Sequence, residues 1–234
     1  MKNLLIIWLL SGFGLYPVEE PTSGLKKDVV QMGILVEKQF FNKHNSMMNY
    51  QMDVSYPLVK YPLTEVEHQV NLGLQNIMAL AISDFRSTMK VLGEHKGLSS
   101  LTLDYKVNYQ QHNILSIRFE KNTFYNGSRN QRKLVFTYNY DLSTRKRVTF
   151  GDLFQDEWIA RKRVLQFLER NYQGLSFRDE QLFTSFGLNE QGVIFIVDQK
   201  KRKQDTPGMV EVLIPWEEIG VDTTLARAID GRHQ

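Results

Sequence analysis

Leu134–Phe154, LVFTYNYDLSTRKRVTFGDLF, is the stretch around which the rest of the chain arranges itself. Leu134, Phe136, Tyr138, Tyr140 and Leu142 share one face of an alternating run, with Thr137, Asn139 and Asp141 on the other. A period of two over this length predicts a half-buried antiparallel strand. Ser143-Thr144-Arg145-Lys146 reverses the chain, Val148-Thr149-Phe150 returns, and Gly151-Asp152-Leu153-Phe154 breaks into a helix.

Upstream, Val30, Met32, Ile34 and Val36 predict a first strand, and Asn42-Lys43-His44-Asn45-Ser46 a polar turn. Tyr50, Met52, Val54 and Tyr56 form a second strand that stops at Pro57. The longest helix follows, with Thr64 as N-cap and Glu67 completing a capping box. Val66, Val70, Leu74, Ile77, Met78, Ala81, Phe85 and Met89 recur at helical spacing, a stripe that must lie on a sheet. Leu101, Leu103, Tyr105, Val107 and Tyr109 pair through Gln111-His112-Asn113 with Leu115, Ile117 and Phe119. The opposite face of this hairpin, rich in hydroxyls, amides and charges, is expected to be wet.

Downstream, Asp156 to Tyr172 predicts a second helix with Trp158, Leu165, Leu168 and Tyr172 inward. Short strands follow around Phe183–Leu188 and Val193–Val197. A charged loop over 200–208 precedes a last strand of Val210, Val212 and Ile214. The expected class is α+β: an antiparallel sheet of hairpins with the long helix and the second helix packed on one face.

A length of 234 residues suits a single domain, placed here at residues 29–234, with an N-terminal half (29–130) and a C-terminal half (131–234). Lys2 and the apolar run Leu4–Leu10, followed by small residues at Gly12 and Gly14, give residues 1–14 the layout of a secretory signal peptide. That run is short of a membrane span, so no stable span is expected after cleavage. Residues 15–28, rich in Pro, Gly and charge, read as a linker. The protein is therefore expected to be exported, periplasmic or secreted.

Apolar residues make up 42% of the chain and aromatics 12%, which excludes disorder of the whole chain. The net charge of +3 is too small to imply a nucleic-acid partner or a membrane-surface role. Cysteine is absent, which excludes disulfides, thiolate metal sites, a cysteine nucleophile and a lipidated N-terminal cysteine. His44, His68, His95, His112 and His233 are scattered without metal-site spacing. Neither a G-x-S-x-G elbow nor a phosphate-binding glycine loop occurs, and no metal or other cofactor is expected.

Asp104 and Glu120 fall on the polar sides of adjacent strands, where two carboxylates facing one cleft would suit hydrolysis. The commoner meaning of such a pair is ionic contact with neighbours such as Lys106 and Arg118. The loop carrying Tyr125, Gly127, Ser128 and Arg129 is the better candidate for ligand contact, with Tyr125 and Arg129 at its tip.

NYDLSTRKRVTFGDLF also resembles a segment shared by a family of exported bacterial domains of unknown function. That family includes the extracellular region of the lysozyme-sensing sigma-V anti-sigma factor and the N-terminal region of a peptidoglycan deacetylase. The paired strands Leu101–Phe119, the run Phe183–Leu188 with Gly192–Phe195, and the closing Gly208–Trp216 resemble it as well. The family's Tyr-x-Gly-Gly-Ala-His loop is matched here only at Tyr125 and Gly127, and its histidine is missing. The resemblance implies a non-enzymatic, exported cell-envelope binding module whose partner is an envelope glycan such as peptidoglycan, or a protein such as lysozyme. Two alternatives stand beside it: a small envelope hydrolase using a carboxylate pair, and a structural subunit presenting an exposed apolar patch.

Overall fold

Strand pairing begins with β1 (Leu35–Asn45) and β2 (Tyr50–Lys60), antiparallel from Leu35↔Lys60 to Asn45↔Tyr50. The computed structural model describes residues 33–92, 97–172, 175–176, 179–199, 209–221 and 223–230. The expected signal peptide, linker, Val30–Met32 segment and 200–208 loop lie outside the described residues. Within that description Met32–Gln234 is one compact unit.

The first hairpin turns at 46–49 instead of at Asn42, so Asn42–Asn45 belong to the strand. Buried Tyr50, Met52, Val54 and Val59 anchor β2, and β1, an edge strand, tolerates polar residues because one of its sides meets solvent. Pro57 does not end β2. The pairing of β2 with the next strand stops at Val54, so Pro57 takes no ladder bond on that side.

Helix α1 (Thr64–Leu92) buries Val66, Val70, Leu74, Ala81, Phe85 and Met89, the expected stripe. Its first turn differs from the predicted capping box. Glu67 N–H donates to the Leu63 carbonyl (2.9 Å), which puts Thr64 inside the helix. The Glu67 carboxylate reaches back to Tyr61 N–H (2.9 Å). Deeper in, the buried Asn71 amide bonds both the N–H and the carbonyl of Val59 (2.8 Å each), fastening helix to strand.

Because α1 carries the chain back to its starting end, the next strand runs parallel to β2, from Tyr50↔Ser99 to Val54↔Leu103. β3 (Ser99–Gln111), β4 (Ile114–Phe124), β5 (Arg132–Asp141) and β6 (Lys146–Arg147) then complete a six-stranded sheet in sequence order. His112 and Asn113, both left-handed (φ 52° and 61°), form the two-residue turn that matches strand twist. After β5, the Asp141 carboxylate accepts from Ser143 N–H (2.8 Å) and Thr144 Oγ1 (2.8 Å), tying the turn that the sequence places there. The sheet runs across position 130 through the pairing of β4 with β5.

A second sheet holds β9 (Gly192–Gln199) at its centre, antiparallel to β10 (Met209–Pro215), β7 (Leu175–Ser176) and β8 (Phe186–Asn189). A short 3-10 helix (Phe150–Leu153), α2 (Glu157–Asn171), α3 (Asp179–Thr184), α4 (Trp216–Ile219) and α5 (Thr224–Asp230) accompany it. The α+β class holds. Two details of the expected elements change: Phe183–Leu188 divides between the end of α3 and β8, and α5 was not foreseen. In α2 the buried line is Ala160, Val164 and Leu168, at four-residue steps, and Trp158 is 69% exposed beneath the Lys162 ammonium (5.4 Å to the ring). Among the described residues no helix is long and apolar enough to cross a membrane.

Two cores result. One lies between α1 and the first sheet, the other between the end of that sheet's back face and the second sheet with its helices. The back face expected to be wet is partly dry. Ser116, Thr137, Asn139 and Asp141 are buried there. Ser116 Oγ donates to Asn139 Oδ1 (2.7 Å) and accepts from Leu188 N–H (2.9 Å), and Asn139 Nδ2 donates to the Phe186 carbonyl (2.7 Å). These side chains satisfy the free backbone edge of β8, so polar residues on this face mark a docking seam.

Candidate functional site

The seam opens at one end into a cleft of about 480 Å³ between the end of β3 and the β8–β9 turn. A β-bulge at the end of β3 creates its floor. Val107 pairs with Ile117 and Tyr109 with Ser116, leaving Asn108 as the extra residue. The Asn108 side chain turns toward the second sheet, where its Nδ2 approaches to 2.6 Å of the place a Cβ would occupy on Gly187. Glycine at 187 is what allows that approach. Asn108 Nδ2 is buried and has no hydrogen-bond partner among the described residues. A buried, unmet donor costs about 1–3 kcal/mol, and this one lies in the packing against Gly187, beneath the cleft surface.

The walls are mostly carboxamides: Gln110 and Gln111 from β3, Asn189 and Gln191 from the β8–β9 turn. Gln111 Nε2 donates across the cleft to Glu190 Oε1 (3.0 Å). Asn189 is held from behind, its carbonyl accepting from the Trp216 indole N–H (3.3 Å). Buried Tyr109 shares a hydrogen bond with His112 Nδ1 (2.8 Å). Burial, helped by the charge of Glu190, pushes the Tyr109 hydroxyl up to about 12, so it stays a neutral phenol. Carboxamides donate and accept at once, which suits a ligand dense in hydroxyl and amide groups.

The residues nominated from the sequence lie elsewhere. Tyr125 is buried and stacks on Phe85 (5.5 Å between centroids, 21° between planes), so its ring belongs to the first core and is not offered to a ligand. Gly127, at φ 89°, is the third residue of a turn closed by Ser128 N–H to the Tyr125 carbonyl (2.9 Å). Ser128 Oγ also donates to that carbonyl (2.6 Å). Arg129 is exposed, at the end of the molecule opposite the cleft.

Asp104 and Glu120 are direct cross-strand neighbours, but each has a cation. Lys38 Nζ stands 2.8 Å from Asp104, and Lys133 Nζ 2.8 Å from Glu120. Lys133 is the largest influence on Glu120, and with Asn122 and Arg118 it holds the carboxyl below the usual range against the opposing effect of burial. A general acid needs the opposite shift. Arg118 also contacts Glu211 of β10, so this cluster ties the two sheets together. Among the described residues no group of three or more His, Asp or Glu side chains is placed to hold a metal ion.

The depressed Glu120 pKa has a consequence for stability. Its contribution is present above the unfolded carboxylate pKa and is lost as pH falls through the lower folded value. Glu120→Gln is therefore expected to lower Tm at neutral pH and to flatten the acid limb of a plot of Tm against pH, the two proteins converging as pH falls through the folded value. An unchanged acid limb would show that the cluster contributes nothing.

Sequence reasoning missed the cleft. An asparagine within an alternating strand carries no mark of a bulge, and the amide residues of the β8–β9 turn read as an ordinary polar loop.

No family profile matches the chain, and no curated protein matches it. Its fold is similar to that of a DUF3298-family member from Bacteroides fragilis. The two share 15% identity with a TM-score of 0.55, over 85% of this chain and 97% of that one. A DUF3298 family protein from Pseudomonas aeruginosa is similar at 16% identity and a TM-score of 0.52, over 82% of this chain and 94% of that one. At such identities the likeness shows a shared fold.

Proposed function

We propose that this chain is an exported, non-enzymatic binding module of the cell envelope that takes an envelope glycan, peptidoglycan being the leading case, in the amide-lined cleft. The observation that carries this reading is the carboxamide lining of the cleft, Gln110, Gln111, Asn189 and Gln191, whose side chains donate and accept hydrogen bonds at once. Sugars with acetamido groups present the hydroxyls and carbonyls that such amides bond. The signal-peptide layout of residues 1–14 supports export. The resemblance of Asn139–Phe154 to exported domains of peptidoglycan- and lysozyme-related proteins supports the envelope as the place of action. The hydrolase alternative loses its motivation because Asp104 and Glu120 are each neutralised by a lysine.

Co-sedimentation with purified peptidoglycan sacculi, with and without added lysozyme, tests this. The protein is expected to pellet with sacculi alone. Gln110→Ala combined with Gln191→Ala, both exposed positions, should weaken pelleting about tenfold, as loss of two hydrogen bonds implies. Pelleting only when lysozyme is present would move the site to a protein partner. Protein left in the supernatant in both arms would overturn the envelope reading.

A further inference from the structure

The end of the molecule opposite the cleft gathers apolar and cationic side chains from four segments. Asn45 pairs with Tyr50, Tyr50 with Ser99, and Asn126 N–H donates to Ser99 Oγ (3.0 Å). These contacts bring the 46–49 turn, the last turns of α1, residues 97–98 and the loop after β4 to one tip. Met47 and Val91 are 93% and 86% exposed, and Met48, Leu92 and Leu98 are exposed beside them. Arg86 and Lys90 line a pocket there with Met48, Lys43 acts on Tyr50 beside them, and exposed Arg129 lies in the loop after β4. The described residues of the tip (43–50, 86–92, 97–99 and 125–131) include no carboxylate.

A pocket of about 330 Å³ opens there, with Arg86 and Lys90 beside Met48, Met89 and Tyr50. Burial acts to raise the Tyr50 pKa. Hydrogen bonds from Arg86 and Asn45 and the charges of Arg86 and Lys43 together outweigh it and lower the value, a sign of concentrated positive charge.

We propose that this tip docks peripherally on an anionic phospholipid surface, with Met47, Met48 and Val91 entering the headgroup layer and Lys43, Arg86 and Lys90 meeting lipid phosphates. Exposed apolar side chains ringed by cations, with no carboxylate among the described residues of the tip, match a surface that is negative outside and apolar beneath. A second copy of the chain is a poor occupant, because symmetric pairing of two tips would bring like charges together. Docked this way, the protein holds its cleft about 40 Å from the lipid, the length of the thirteen-residue strand β3.

Flotation of the full protein with vesicles distinguishes the outcomes. It should float with phosphatidylcholine vesicles containing about 30 mol % phosphatidylglycerol but not with phosphatidylcholine alone, and less well at high salt. Lys90→Glu should weaken binding at least about fivefold, the worth of one cation near such a surface. Met47→Asp with Val91→Asp should abolish flotation while leaving Tm unchanged, since both side chains face solvent. The Gln110→Ala, Gln191→Ala variant should float like the parent, which separates this site from the cleft. The proposal is overturned if the parent protein ignores anionic vesicles or if the tip variants float as well as it does. It is also overturned if sedimentation shows a dimer that Met47→Asp dissolves, which would make the tip a self-association surface.

Discussion

Trp216→Ala is expected to destabilise the protein by about 3–5 kcal/mol, the range for deleting a large buried aromatic side chain. Trp216 is fully buried where β10 passes into α4. Its ring lies tilted against Phe154, 6.5 Å between centroids, in a core that also holds Phe150, Phe183, Phe186 and Phe195. These neighbours belong to different elements held by hydrogen bonds and cannot collapse into the space left behind. A loss of this size in a domain of this length lowers Tm by about 10 °C, which a thermal melt followed by circular dichroism will read. Trp216→Phe separates packing from polarity. It keeps most of the volume but removes the indole N–H that holds the Asn189 carbonyl at the lip of the cleft. That variant should lose only about 1 kcal/mol of stability yet bind sacculi more weakly. A Trp216→Ala protein that melts like the parent would show that this core does not support the second sheet.

Gly192→Ala should cost about 3 kcal/mol, the upper part of the range for overpacking a tight site. Gly192 opens β9 opposite Pro215, and a Cβ there would press into the Ile214 backbone carbonyl. The obstructing atom is main chain in a paired strand, so relief requires opening the β9–β10 ladder. Gly127→Ala is the useful contrast. Gly127 has φ 89°, and nothing lies within 4 Å of a Cβ placed on it. Only backbone strain opposes that change, about 1–2 kcal/mol. Urea denaturation of the two variants should rank Gly192→Ala as clearly the more damaging. Equal midpoints would mean that β9 and β10 are less firmly paired than their register indicates.

Much of the fold was legible because it follows local periodicity. The alternations of Leu101–Tyr109 and Leu134–Leu142 became β3 and β5, and the stripe from Val66 to Met89 became the buried face of α1. Asp141 and the Ser143–Lys146 turn were legible for the same reason, since the bonds that hold them span only a few residues. Trp158 shows where this logic fails. An aromatic residue near a helix start looks like an anchor, but the element packed against α2 selects the line of Ala160, Val164 and Leu168 instead. Burial of Tyr125 departs from local appearance in the opposite sense. Tyr125 looks like a loop-tip contact, yet Phe85 on α1, forty residues earlier in the chain, takes its ring into the core.

The sequence by itself determined the α+β class, the positions of most strands and both main helices, and the lack of cysteine chemistry. Each of these depends on residues near one another along the chain or on composition alone. Tertiary structure alone decided that β8 docks on Ser116 and Asn139, that a bulge drives Asn108 into a cleft between two sheets, and that the acids at 104 and 120 meet lysines. It also decided where charge resides. A net charge of +3 is a sum over the chain, and a sum is blind to a tip at which β1, α1 and the loop after β4 bring cations together and no described carboxylate stands among them. Sites of this kind arise from contacts between distant segments, and no local pattern in the sequence encodes such a contact.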